Sequence, residues 1–180
     1  MEFQTKRLIC RPLLESDRDN YCALYMDKKI MRKIVAPFNR EKSEQHFNSA
    51  LIQNNSPSLT RLTWVIENKD SGQFIGVQGL QWLSPGDKQA DLGIMIIPNA
   101  NGKNIPREAL TGVIEYAFDN IRLDAIRASF QPSHYASLRI VRRLGFVEQP
   151  IKKAALDKNV SLYVLSKEKW YNQTSTKKFN

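Results

Sequence analysis

The stretch that most restricts how this chain can fold runs from Ala90 to Phe146. Asp91-Leu92-Gly93-Ile94-Met95-Ile96-Ile97 reads as a buried strand, apolar on both sides of the pleat and closed by Pro98. Leu110, Val113, Ile114, Ala117, Phe118 and Ile121 then recur at i, i+3, i+4, i+7, i+8 and i+11, a single apolar stripe at helical period. Ile126-Arg127-Ala128-Ser129-Phe130 returns to strand-like alternation. A strand, a helix and a strand in succession imply a parallel pair reached by a crossover, and so a mixed sheet carrying helices. Between the first strand and the helix, the polar loop from Asn101 to Glu108 brings a helix N-terminus to the strand's end. The unpaired N–H groups of a first helical turn and the positive end of its dipole make such a loop an anion cradle.

The rest of the chain supplies partners for this unit. Arg7 to Pro12 predicts a first strand ended by Pro12, after which Ser16 or Asp17 caps a helix whose apolar face is Tyr21, Leu24 and Tyr25. A second helix is expected over Glu41 to Gln53, with Phe47, Ala50 and Leu51 inward and Asn54-Asn55-Ser56-Pro57 stopping it. The apolar loop Ile34 to Phe38 either covers the core or walls a substrate groove. Leu62 to Glu67 and Phe74 to Trp82 form a hairpin about Asn68 to Gly72, and the turn Ser84 to Asp87 brings the next strand back antiparallel. Ser133 caps a short helix carrying Ala136, Ile140, Val141 and Leu144, which Gly145 ends in the left-handed conformation. Leu162 to Leu165 is a last strand, so residues 1–172 are expected to form one domain and 173–180 a flexible polar tail.

Composition removes several function classes. At 180 residues one full hydrophobic core is expected. The run Leu92 to Ile97 is far too short to cross a bilayer, and the charged Met1 to Arg7 does not read as a signal peptide, so a cytoplasmic protein without membrane contact is expected. Cys10 and Cys22 read as reduced, partly buried thiols, with no second pair to build a metal site. The net charge of +9 favours anionic partners: a phosphorylated cofactor, an acidic peptide or nucleic acid. The basic residues are scattered, with no aromatic ladder among them, which puts a nucleic-acid binder last.

Several short motifs, taken in order, resemble the GNAT N-acetyltransferase superfamily, and within it the branch of ribosomal-protein alanine and serine N-acetyltransferases. They are Thr5-Lys6-Arg7-Leu8-Ile9-Cys10-Arg11-Pro12-Leu13 with Asp17, Phe74-Ile75-Gly76-Val77-Gln78-Gly79-Leu80, Asp91-Leu92-Gly93-Ile94, and Ser137-Leu138-Arg139 with Arg143-Leu144-Gly145-Phe146. The resemblance spans nearly the whole chain. It implies an α/β fold of α+β type, a mixed, splayed sheet flanked by helices, with acetyl-coenzyme A as co-substrate lying in the split and no metal. The acceptor it implies is a primary amine, most naturally a protein or peptide N-terminus and otherwise a small amine. Ribosome association is a further expectation, as is a monomer or homodimer.

On this resemblance the pyrophosphate is expected on Asn101, Gly102, Lys103, Asn104, Ile105 and Arg107, with Lys103 and Arg107 adding charge. The pantetheine is expected along the backbone of Ile96 and Ile97, and His134, Ser137 and Arg143 are expected beside the cofactor. Ser137 matches the family serine that protonates the departing thiolate. Asp91 is the first candidate for a general base, followed by Glu67 and Glu148. The loop departs from the family pattern by holding Asn104 for a glycine and by Pro106, which has no N–H, and this predicts weakened pyrophosphate binding. His134 replaces an asparagine and Val141 a tyrosine, and the glutamate that serine-specific relatives carry after Gly-Phe is absent from Ile151 to Ala155. The alternative function is therefore a non-catalytic or weakly active acyl-coenzyme A binding module.

Overall fold

The strand–helix–strand unit lies at the centre of the computed structural model, which describes residues 1–100, 102–150 and 160–176. Eight strands form one sheet: β1 (Phe3–Gln4), β2 (Leu8–Pro12), β3 (Arg61–Asn68), β4 (Phe74–Gln81), β5 (Gln89–Ile96), β6 (Ala125–Phe130), β7 (Val147–Gln149) and β8 (Ser161–Ser166). Their order is β1-β2-β3-β4-β5-β6-β8-β7. Every neighbouring pair is antiparallel except β5 and β6, the pair the crossover joins. The helices are α1 (Arg18–Met26), α2 (Lys28–Met31), α3 (Arg40–Asn54), α4 (Ile105–Tyr116), α5 (Tyr135–Arg143) and α6 (Lys167–Thr176).

Because helices cover both faces, β3 is buried without interruption from Leu62 to Ile66. Leu62, Trp64 and Ile66 join Val113, Ile114 and Phe118 of the α4 segment on one face, whereas Val65 joins Tyr21, Phe47, Val77 and Met95 under α1 and α3 on the other. Burying a side chain of this size stabilises by about 2–3 kcal/mol, so the α4 stripe fixes which face that helix presents. Arg11 ties the start of α1 to the sheet. Its Nη1 and Nη2 donate to Asp17 at 2.8 Å each, and Nη2 also reaches Glu67 Oε1 at 2.5 Å.

Several expectations are corrected. Asp17 does stand at the N-cap position of α1, but its side chain makes no capping bond into that helix; it closes a turn at Glu15–Asp17, its carboxylate accepting from the Leu14 N–H at 2.8 Å. His134 rather than Ser133 caps α5, because its ring nitrogen accepts from the Ser137 N–H. The apolar stripe of α4 runs past Tyr116 into a π turn at Ala117–Ile121, which carries Phe118 into the core. The expected tail begins too early: α6 reaches Thr176, with Trp170 buried and Gln173 donating to the Leu144 carbonyl at 2.8 Å. No helix among the described residues is long and apolar enough to cross a membrane.

Candidate active site

Strands β5 and β6 pair only from Gln89↔Ala125 to Asp91↔Arg127 and then separate. Arg127 holds the vertex, its Nε donating to Asp91 Oδ1 at 3.1 Å and its Nη2 to Asp91 Oδ2 at 2.6 Å. Glycines on β4 let its two neighbours, β5 at Gly76 and β3 at Gly79, pack close against it. A Cβ at Gly76 would fall on the Met95 carbonyl oxygen, and one at Gly79 would lie 2.6 Å from the Leu62 carbonyl oxygen, so the strands approach more closely than any side chain allows. Beyond the vertex, Leu92 and Ile94 are only half-buried and Gly93 is exposed, contrary to the fully buried strand expected. A Cβ at Gly93 would meet nothing within 4 Å, leaving bare main chain as the floor of a cleft.

The Ile97 N–H donates to the Ile75 carbonyl at 2.9 Å, and this sets the hydrogen-bonding phase of β5. In an antiparallel ladder the bonded residues alternate, so Ile97, Met95 and Gly93 face β4, whereas Ile94 and Ile96 direct their main-chain groups into the split. Ile96 is thus available to an extended ligand. Ile97 is not: its N–H is used by Ile75, and its carbonyl accepts from the Ala100 N–H at 3.1 Å.

At the open end of the split the chain turns through three consecutive residues of positive φ: Gly102 at 103°, Lys103 at 46° and Asn104 at 61°. Asn tolerates this region better than most residues, so the missing second glycine leaves a left-handed turn intact. The Ile105 N–H closes the turn on the Gly102 carbonyl at 3.0 Å, and the Glu108 N–H starts the helix ladder on Asn104 at 2.9 Å. Pro106 occupies the first turn of α4, where a missing N–H breaks no helical bond. Among the described residues the amides of Lys103, Asn104 and Arg107 have no main-chain acceptor, and all three residues are exposed. Successive outward amides of this kind form a concave anion nest at the positive end of the helix. Ile105 is buried with its amide occupied, so it anchors the turn rather than facing a ligand. Asn101 lies outside the described residues.

Across the split, His134 Nδ1 accepts the Ser137 N–H at 3.2 Å, so the neutral ring carries its hydrogen on Nε2. Ser137 is half-buried and its hydroxyl has no partner among the described residues. Ser133 beside it accepts from Lys33 Nζ at 3.1 Å, which brings the segment after α2 over to the β6–α5 loop. Arg143 does not join this group: six residues beyond Ser137, it lies about 9 Å along the axis and two-thirds of a turn around the helix.

The three candidate bases all have arginine partners. In this conformation Asp91 and Glu67 are each held in an ion pair, Asp91 with Arg127 and Glu67 with Arg11, while exposed Glu148 on β7 lies 4.0 Å from Arg142.

Two groupings escaped the sequence reading. The first is a clasp on the turn: Thr5 Oγ1, the Arg7 amide and Arg7 Nε donate to the Glu108 carboxylate at 2.6, 2.7 and 2.7 Å, and Arg7 Nη2 donates to the Lys103 carbonyl at 2.8 Å. Burial alone would raise the Glu108 carboxyl, but these donors and the Arg7 charge outweigh it and hold it below the usual range. The second joins His46 to Tyr21, Tyr25 and Arg61. Arg61 Nη1 can only donate, so His46 Nε2 accepts at 3.1 Å, leaving Nδ1–H for the Tyr21 oxygen at 2.9 Å. Burial first, then the charges of Arg61 and Lys42, push the imidazole down to about 4. Arg61 pairs with Gln81 and Gln81 with Asp91, which puts this cluster two strands, about 10 Å, from the vertex.

A family model described as acetyltransferase (GNAT) domain matches residues 7–147. The uncharacterized N-acetyltransferase YoaA of Bacillus subtilis is 26% identical over 165 residues, covering 89% of this chain and 90% of that protein. Spermidine N-acetyltransferase from Vibrio cholerae, solved with CoA and spermine, superposes with a TM-score of 0.77 at 20% identity, over 92% of this chain and 99% of that one. RimL, a ribosomal L7/L12 alpha-N-protein acetyltransferase solved in complex with coenzyme A, gives a TM-score of 0.78 at 16% identity, over 92% and 98%. At these identities the solved structures establish a shared fold.

Proposed function

This chain belongs to the GNAT acetyltransferase family and is an N-acetyltransferase; on that premise we propose that its donor is acetyl-coenzyme A and its acceptor the amine of a protein or peptide N-terminus. The observation that carries the donor assignment is the continuity of two features, the open edge of β5 at Ile94 and Ile96 and the left-handed turn at the head of α4. The turn's amides at Lys103, Asn104 and Arg107, with the Lys103 and Arg107 side chains, would hold a pyrophosphate. The main chain of Ile94 and Ile96 would pair with the pantetheine amides as an added strand does.

Acetyl-coenzyme A, when bound, supplies an activated thioester carbonyl. The Ile94 N–H, directed into the split just past the vertex, is the donor for the carbonyl oxygen as it gains charge. The bare Gly93 main chain lets an amine come close, and Ser137 Oγ holds the proton needed by the departing sulfur. With the nearby carboxylates engaged by arginines, the neutral amine is selected from solvent and the rate comes chiefly from positioning.

Charge supports a peptide over a polyamine. Lys28, Lys29, Arg32 and Lys33 crowd α2 and its exit, and none forms an ion pair among the described residues. Lys33 reaches the loop beside His134, and exposed Ile34 and Val35 follow it. A polyamine would be repelled by this rim, whereas a neutral or acidic peptide would not. Mass spectrometry of N-terminal peptides and spermidine incubated with acetyl-coenzyme A tests the reading. Acetylation of the peptide α-amine is expected, and a higher kcat/KM for spermidine would overturn the acceptor assignment. Coenzyme A binding without transfer to any amine would favour the binding-module reading, which the arginine pairing of all three candidate carboxylates supports.

A further inference from the structure

We infer that Arg7, far from the turn in sequence, is a positioning residue for the pyrophosphate site, acting through the Lys103 carbonyl and Glu108 rather than by contact with the ligand. The inference rests on the reading of the Gly102–Arg107 turn as that site.

Peptide geometry carries the argument. In a trans peptide the C=O of one residue and the N–H of the next point in opposite directions, and the described chain contains no cis bond. Arg7 Nη2 holds the Lys103 carbonyl at 2.8 Å on the side of the N-terminal strand, so the Asn104 N–H is turned to the opposite, solvent-facing side. Lys103 and Asn104 are non-glycine residues at positive φ, a conformation that persists only where the surroundings enforce it. The enforcing bonds come from Arg7 and from the Asn104 carbonyl, which caps the Glu108 N–H.

The second half of the argument is electrostatic. Glu108 puts a carboxylate in the first turn of α4, within one helical turn of the amides that would face an anion. Unpaired, it would oppose a dianion there. Arg7 meets it with Nε at 2.7 Å and Nη2 at 2.6 Å, while Thr5 Oγ1 and the Arg7 amide satisfy Oε1. The Glu108 side chain is 18% exposed and that of Arg7 37%, so the carboxylate end of the pair is only partly open to screening by solvent. Gly112 completes the arrangement: a Cβ there would lie 2.8 Å from Thr5 Cγ2, so its absence lets α4 settle against the segment that carries Thr5 and Arg7. A residue in the opening motif thereby sets the geometry of a loop about 100 positions later.

The test compares Arg7→Met, Arg7→Lys and Arg7→Met/Glu108→Gln with the wild type in two measurements. Calorimetry reads coenzyme A affinity, and steady-state kinetics compares acetyl-coenzyme A with S-acetylpantetheine, which has no pyrophosphate. Arg7→Met is expected to bind coenzyme A about tenfold more weakly, with kcat at saturation and KM for S-acetylpantetheine each within about twofold of wild type. Arg7→Lys keeps the charge but loses the two-pronged reach, so it is expected to recover less than half of the loss. Glu108→Gln in the Arg7→Met background is expected to regain about threefold. Unchanged coenzyme A affinity in Arg7→Met overturns the inference. So does an equal loss with both donors, which a merely destabilised fold would give, or full rescue by lysine, which would mean direct charge contact. Failure of the underlying reading looks different: the wild type itself would bind coenzyme A and pantetheine with equal affinity.

Discussion

Replacing Asp91 with Asn, and separately Arg127 with Met, distinguishes a structural role at the vertex from a role in proton transfer. The pair makes two bonds, 3.1 and 2.6 Å, between side chains that are 35% and 20% exposed. A two-point, partly shielded ion pair lies above the ~0–1 kcal/mol of a surface bridge and below the ~3–5 kcal/mol lost when a fully buried pair is broken, so about 1–2 kcal/mol is expected. For a domain of this size that is roughly 2–8 °C in Tm. A double-mutant cycle read by urea unfolding should return a coupling of about 1–2 kcal/mol between the two positions. Asp91→Asn should lower kcat by less than about fivefold and leave the acidic limb of the pH–rate profile in place. Removal of a true general base costs about 10²–10⁴ and abolishes that limb. A loss of that size in Asp91→Asn, with Tm unchanged, would refute the assignment of Asp91 as a vertex tie.

The turn and the aromatic cluster give further outcomes. Asn104 already adopts the left-handed conformation, so Asn104→Gly should raise stability by up to ~1 kcal/mol and leave coenzyme A affinity within about twofold, whereas Pro106→Ala restores a donor and should tighten binding about threefold; calorimetry reads both. His46 has its folded pKa at about 4, below the ordinary ~6.5, so between those values the unfolded chain holds more protons and stability falls as the medium is acidified. At ~1.36 kcal/mol per pH unit the full effect would be about 3 kcal/mol, and screening at a half-open ring reduces it to about 1–2 kcal/mol. Chemical unfolding at pH 7 and pH 4 should show that loss in the wild type in excess of His46→Gln, and equal losses in the two would remove His46 as the cause.

Legibility in the sequence followed the range of the interactions. The hairpin, the crossover and the α4 stripe are local and periodic, so Leu62–Ile66, Phe74–Gln81 and Leu110–Phe118 could be placed by spacing alone. Positive φ at Asn104 was likewise foreseeable from the tolerance of Asn for it, whereas the same conformation at Lys103 was not. The site's ties could not be read in this way. Asp91 and Arg127 are 36 positions apart and Arg7 and Glu108 are 101, and nothing local in either segment marks its partner. Which main-chain groups of Ile96 and Ile97 face which neighbour was also illegible, because periodicity carries no hydrogen-bonding phase; one bond from Ile97 to Ile75 sets it. α6 gave little signal because, within Lys167–Thr176, the largest apolar anchor is a single buried tryptophan, Trp170.

The three-pair junction of β5 and β6 has a consequence for the molecule's mechanics. Main-chain bonding divides the sheet into one plate of five strands and another of three, stitched together along Gln89–Asp91 and Ala125–Arg127 and open beyond. An extended molecule seated on Ile94 and Ile96 would act as a missing rung, bracing the two plates against each other. Its binding should therefore be felt farthest where the plates are least joined. Amide hydrogen exchange would show protection spreading from β5 into β6 and β8, which carry no atom of the cradle itself.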